Sequence, residues 1–135
     1  MATLEETMGL GDAPAALRIL IVEDEPLLRM FNADVLSEAG FEVLEACDAH
    51  EALRLLETNR HIDVVFTDVE MPGQVDGFAL AATIETRWPA IGVVITSGRR
   101  LPPNSFEAPA RCFVPKPFKA SQLVESIGAV AHVCH

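Results

Sequence analysis

Paired cysteines, basic residues and long apolar runs are all in short supply in this 135-residue sequence. Cys47, Cys112 and Cys134 are odd in number, far apart and outside any CxxC spacing. That excludes a disulfide framework and the usual cysteine-based zinc and redox sites. His132, Cys134 and His135 crowd the C-terminus, but two histidines and a cysteine there read as a tail rather than a metal centre. Lys and Arg number 10 against 20 Asp and Glu, and the net charge of −10 repels nucleic acid and anionic membrane surfaces. Met1 to Asp12 carries Glu5, Glu6 and Asp12 with no basic start and no long apolar stretch, unlike a signal peptide or a membrane span. A cytoplasmic protein with neither a nucleic-acid nor a membrane partner is expected. Repeats at solenoid periods and low-complexity segments are also missing.

What is present is enough for a core. Half of the residues are apolar and 22% are charged, so burial can offset the entropy of ordering the chain. The length suits one domain of the common ~100–150 residues. Residues 1–16 read as a flexible N-terminal arm, and residues 17–133 as the domain. Short apolar runs at Leu17–Val22, Phe41–Ala46, Ile62–Thr67, Ile91–Thr96 and Arg111–Val114 read as strands.

Helical periods lie between them. Pro26 suits a first helical turn, Leu28, Phe31, Val35 and Leu36 form one apolar face, and Gly40 supplies a stop. Asp48 and Glu51 make a capping box ahead of Ala52, Leu55 and Leu56. Leu80, Ile84 and Trp88, closed by Pro89, mark a third helix, and Ala120 to Ala131 a last one. Strand–helix alternation with near-continuous apolar strands predicts an α/β fold, a parallel sheet covered on both faces. Pro102, Pro103 and Pro109 leave too few residues between them for an ordinary helix, so the fourth crossover is expected to be irregular or shortened.

Ligand-binding groups in such a sheet gather beyond the carboxyl ends of the strands. Glu23, Asp24 and Glu25 follow the first strand, Asp68 ends the third, Thr96 and Ser97 end the fourth, and Lys116 follows the fifth. Adjacent acids repel one another, and Mg²⁺ relieves that with one or two carboxylates, here Asp24 and Asp68, while keeping waters and an open position. Alone, the acidic triplet also fits a solvated loop at a helix start, and Asp68 a turn before Met71-Pro72-Gly73. Beside a cation, however, Asp68 is placed to attack a phosphorylated donor and form an acyl phosphate. Pro115 and Pro117 constrain Lys116, so that its ammonium can be aimed at a phosphate; the Lys116–Pro117 bond could be cis or trans.

Read together, RILIVEDE (Arg18–Glu25), DVVFTDVEMPGQVDG (Asp63–Gly77), VVITSG (Val93–Gly98) and FVPKPF (Phe113–Phe118) resemble the receiver domains of bacterial response regulators. The resemblance runs from about Leu17 to Val133, and four ordered motifs at four strand ends make it specific. It implies a flavodoxin-like, doubly wound sheet of five strands in the order 2-1-3-4-5. It implies a phosphoryl group passed to Asp68 from a histidine kinase or histidine phosphotransfer protein, and Mg²⁺ held by Asp24, Asp68, the Glu70 backbone carbonyl and, through water, Glu23. It also implies that Lys116 pairs with the phosphate, and that the Thr96 hydroxyl swings toward it and draws Phe113 inward, although an ordinary core aromatic is the other reading of Phe113.

The expected protein is a stand-alone response regulator of a two-component phosphorelay, not an enzyme, that signals to a downstream protein target; its oligomeric state stays open. A phosphatase of the haloacid-dehalogenase type and an idle binding module are the competing classes. Two departures from the family pattern stand out: the proline-containing stretch Leu101–Ala110, and one extra residue within Met71–Gly77. Arg99 and Arg100 near the first departure fit either a phosphate or partner contact or a solvated basic pair.

Overall fold

The computed structural model describes residues 16–58, 61–71, 73, 75–102 and 110–134, with side chains described as far as 131. The elements run β1 (Arg18–Val22), α1 (Pro26–Glu38), β2 (Glu42–Ala46), α2 (Ala49–Thr58), β3 (Val64–Asp68), α3 (Gly77–Arg87), β4 (Gly92–Ser97), β5 (Arg111–Pro115) and α4 (Ala120–Cys134). All five strands are parallel, in the order β2-β1-β3-β4-β5. This is the flavodoxin-like arrangement expected from the sequence.

The near-continuous apolar strands follow from the alternation of side chains across a sheet covered on both faces. Leu20, Val22, Val65, Val93 and Ile95 point to a core closed by α2 and α3. Their neighbours Ile19, Ile21, Val64, Phe66 and Val94 point to a second core closed by α1 and α4, where Leu36, Leu123 and Ile127 meet them. Each fully buried Ile, Leu or Phe among them stabilises the fold by about 1.5–3 kcal/mol relative to exposure.

The helix boundaries rest on local chemistry. Glu25 is the N-cap of α1, its carboxylate accepting from the Leu27 and Leu28 amides, and Pro26 takes the first helical position, where no amide is needed. The helix stops at Gly40, whose φ of +100° suits only a glycine comfortably, with the Phe41 amide returning to the Leu36 carbonyl. At α2 the expected capping box is formed in part: the Glu51 amide donates to Asp48, while the Glu51 carboxylate accepts from the Cys47 amide, one residue ahead of the cap.

One helix face differs from expectation. Leu28 and Phe31 are not buried; they are 45% and 59% exposed, beside Leu27 and Met30, also exposed. The buried stripe of α1 is Asn32, Ala33 and Leu36. Apolar residues surround the first two turns on several sides, so spacing alone did not select the inner one. Ala120, at the start of α4, is likewise exposed. Residues 98–102 and 110 contain no helix, in line with an irregular fourth crossover; Asn104 to Ala108 lie outside the described residues, as do the N-terminal arm to residue 15, Pro72, Gln74 and the side chains of His132, Cys134 and His135.

Because the chain moves from β1 outward to β2 and then returns to β3 on the other side of β1, connections diverge between β1 and β3. That divergence opens a crevice at the carboxyl ends of those two strands. Glu23, Asp24 and Asp68 are the residues at that crevice.

Candidate functional site

Glu23 and Asp68 are buried and Asp24 is exposed, and one carboxylate oxygen from each lies within 4.8 Å of the others. Burial lifts the Glu23 carboxyl from its ordinary 4.5 to about 7; the Asp68 charge and the Asp24 side chain add to the rise, while the Glu25 amide and the Lys116 charge oppose it. Arg29, one turn into α1, fixes the loop beneath by donating from Nη1 to the Glu23 carbonyl at 2.7 Å and from Nε to Glu45 at 3.3 Å.

Both oxygens of Asp68 are engaged. Oδ2 accepts from Lys116 Nζ at 2.7 Å, and Oδ1 accepts from the Glu70 amide at 3.1 Å. For Lys116, burial works against the charge, but the hydrogen bond and charge of Asp68 outweigh it and raise the ammonium above its usual range. Lys116 is held by its backbone as well, its amide donating to the Ser97 carbonyl at 3.0 Å, and the peptide bond to Pro117 is cis.

Thr96 sits across from Asp68 in the β3–β4 register and is 2% exposed; among the described residues its hydroxyl has no hydrogen-bond partner. Phe113 is partly buried, opposite Ile95, and packs against the core that contains Leu80 and Ile95. The Glu70 side chain turns to Ser97, whose hydroxyl donates to Oε2 at 2.5 Å. The structure thus brings Glu23, Asp24, Asp68, Lys116 and the Glu70 amide together, sets Thr96 beside them in register, and places Phe113 one residue back on the neighbouring strand.

Gly77 is a residue that sequence reasoning passed over. A Cβ there would collide with the Asp68 carbonyl oxygen and lie 2.7 Å from Val69 Cα. Only glycine lets α3 start against the backbone of the central aspartate, and the Gly77 amide bonds the Val69 carbonyl at 3.1 Å. The Asp76-Gly77 pair at the head of an apolar-periodic segment was its one signal. Arg29 carried no signal of this kind.

Beside these groups runs a groove of about 500 Å³, lined among others by Glu23, Leu28, Phe31, Asn32, Lys116 and Phe118. It adjoins the exposed apolar turn of α1 and shares Glu23 and Lys116 with the acidic crevice.

A switch-point crevice lined by three acids and a lysine, in a five-stranded doubly wound sheet, defines the class of CheY-like signalling domains. The comparisons give the family: the description "Response regulator receiver domain" matches residues 19–128, and the chain belongs to that family. The chain is 40% identical over 120 residues to the transcriptional regulatory protein PdtaR of Mycobacterium tuberculosis strain H37Rv, covering 87% of this chain and 58% of that protein. It is 32% identical over 120 residues to the sensor kinase CckA of Brucella abortus, covering 86% of this chain and 13% of the kinase. The chain therefore spans little more than half the length of the first relative and a small part of the second.

Among solved structures, a CheY-like receiver domain protein of Methanospirillum hungatei superposes with a TM-score of 0.80 at 25% identity, covering 89% of this chain and 97% of that one. The response regulator TrrA of Thermotoga maritima, solved with Mg²⁺ and BeF, superposes with a TM-score of 0.75 at 28% identity, covering 84% and 98%. Chemically, three carboxylates so close together suit a hard divalent cation, and the acidic cluster here fits Mg²⁺ binding.

Proposed function

We propose that this chain, from Leu17 to Val133, is a single receiver unit of a two-component phosphorelay in which Asp68 is the phosphate acceptor. The observation that carries this reading is the Asp68 carboxylate, 5% exposed, paired with Lys116 at 2.7 Å inside an acidic cluster. A buried carboxylate with its own cation and two neighbouring acids is poorly explained as a structural ion pair, since the extra acids only add repulsion.

In the proposed reaction an Asp68 oxygen attacks phosphorus and the P–N bond to the donor's histidine breaks with its electron pair going to nitrogen; the other ring nitrogen, protonated from solvent, lets the imidazole leave neutral. The product is an acyl phosphate on Asp68. Asp24, Asp68, the Glu70 backbone carbonyl and, through water, Glu23 are the groups that would hold Mg²⁺, which neutralises phosphoryl oxygens when bound. Lys116 then exchanges its carboxylate partner for the phosphate, and the Thr96 hydroxyl finds in it the acceptor it lacks. Phe113, on the strand beside Thr96, follows the vacated space.

The donor in this reading is a histidine kinase or histidine phosphotransfer protein, and the output is a protein target rather than nucleic acid or a membrane surface. The acidic balance supports that choice, as does the exposed apolar turn Leu27 to Phe31 beside the acceptor. Among the described residues no helix is long and apolar enough to cross a membrane, and we place the protein in the cytoplasm. Its role is transfer and signalling, not turnover of a substrate.

The test is the intact mass of the chain after incubation with acetyl phosphate and Mg²⁺. The expected result is a gain of one phosphate, labile at alkaline pH and missing in Asp68→Asn. A chain that neither gains mass nor binds beryllofluoride is not a working receiver, and the reading fails.

A further inference from the structure

Ser97 ends β4 directly after Thr96, and its hydroxyl is the hub of a small network. It donates to Glu70 Oε2 at 2.5 Å and accepts from the Arg99 amide at 3.2 Å and the Arg100 amide at 2.9 Å. The chain leaving β4 is thereby folded back toward the loop that leaves β3. Arg100 completes the closure with its side chain. Nη1 donates to Asp76 Oδ2 at 2.9 Å, and the guanidinium lies 5.1 Å from the centre of the Phe78 ring. Asp76 is the N-cap of α3, its other oxygen accepting from the Ala79 amide at 2.9 Å.

We propose that Ser97 and Arg100 form a clasp between the segment after β4 and the start of α3, closed while Asp68 is unmodified and opened when Asp68 carries a phosphoryl group. The inference rests on the reading of Asp68 as acceptor and adds to it the contact that the modification breaks.

The coupling follows from chain connectivity. Thr96 has a buried hydroxyl without a partner among the described residues, across from Asp68, so new anionic oxygens on Asp68 attract it. Ser97 is the next residue. A shift of the Thr96–Ser97 step carries the Ser97 hydroxyl, with the Arg99 and Arg100 amides bonded to it, away from Glu70 on the neighbouring loop. With its backbone displaced in the same movement, the Arg100 side chain no longer reaches both Asp76 and Phe78. The clasp is made of contacts of the right strength for this: Arg100 is 49% exposed and Asp76 32%, so solvent screens the pair and a ligand can outweigh it.

Reciprocity supplies the test, because a contact made only in the unmodified state opposes whatever favours the modified one. The full chain, Arg100→Gln and Asp76→Asn are compared for beryllofluoride binding in the presence of Mg²⁺, and for melting temperature with and without it. Gln keeps most of the stem of Arg100, and Asn keeps the cap of α3, so each removes the ion pair while leaving the fold. Both variants are expected to bind beryllofluoride about two- to fivefold more tightly, the size of effect an exposed pair and a cation–π contact can exert. Each should melt lower than the parent without beryllofluoride and level with it when bound. Equal affinities, or a melting deficit that is the same in both states, overturn the clasp, since they describe a contact that never opens. A parent chain that takes up no beryllofluoride overturns the acceptor reading itself, and the clasp with it.

Discussion

Thr96 faces Asp68 across the β3–β4 ladder with a buried hydroxyl that nothing in the described structure satisfies. Leaving such a group unpaired costs about 1–3 kcal/mol, and the Asp68 oxygens across from it are turned to other donors, one to Lys116 and one to the Glu70 amide. A cost relieved in only one of two states biases the equilibrium toward that state. Replacing Thr96 by Val keeps the shape and removes the unsatisfied hydroxyl. The unmodified Thr96→Val protein is therefore expected to gain about 1 kcal/mol in urea unfolding, and to gain less than the parent on adding beryllofluoride. A Val variant less stable than the parent would show that the hydroxyl has a partner after all.

The four strand-end motifs could be read from the sequence because a parallel sheet brings strand ends to one edge whatever the details of packing. Asp24, Asp68, Thr96 and Lys116 needed only their place at the end of an apolar run. The strand bounds came within two residues for the same reason. The inner face of α1 was legible only in its later turns, where Leu36 is buried and Val35 packs against the core; in the first two turns Leu27, Leu28, Met30 and Phe31 crowd several sides of the helix, and the residues that face inward there are Asn32 and Ala33. The partners of Ser97 and Arg100 were not legible either. Hydrogen bonds between residues such as Ser97 and Glu70, far apart in sequence, depend on loop geometry that no local pattern carries.

Gly77 gives a prediction whose sign is informative. In an ordinary exposed helix position, Gly→Ala stabilises by about 1 kcal/mol. Here the added methyl meets the backbone of Asp68 and Val69, and neither can move without shifting the end of β3. Gly77→Ala is expected to destabilise by about 1–3 kcal/mol and to weaken Mg²⁺ binding, measured by urea unfolding and calorimetry on the same protein. A more stable alanine variant with unchanged Mg²⁺ affinity would mean that α3 can start further from the acceptor.

The exposed turn of α1 separates the two kinds of phosphodonor. Phe31 is 59% exposed and lines the groove that also holds Lys116, so it lies where a protein donor must approach and where a small donor need not touch. Phe31→Glu should leave stability within about 0.5 kcal/mol of the parent and acetyl phosphate labelling unchanged. Transfer from a phosphohistidine-carrying phosphotransfer protein should slow about tenfold or more, the loss expected when an aromatic anchor is removed from an interface. Equal slowing with both donors would assign Phe31 to the acceptor chemistry instead of docking.

Asp76 carries an acid-side prediction. Its burial favours the neutral form, but the Ala79 amide and the Arg100 guanidinium prevail and hold the carboxyl below its usual range. A carboxylate whose folded pKa is depressed contributes stability above its unfolded pKa, and that contribution drains away as pH falls through the folded value. The parent should therefore exceed Asp76→Asn in stability near neutral pH, by under about 1 kcal/mol for so exposed a pair. Because Asn still accepts the capping hydrogen bond, the difference isolates the charge, and it should close as the pH is lowered from about 5 to about 2. Melting curves of the two proteins across that range measure it. A gap that persists at the acid end would place the contribution of Asp76 in its cap and not in its pairing with Arg100.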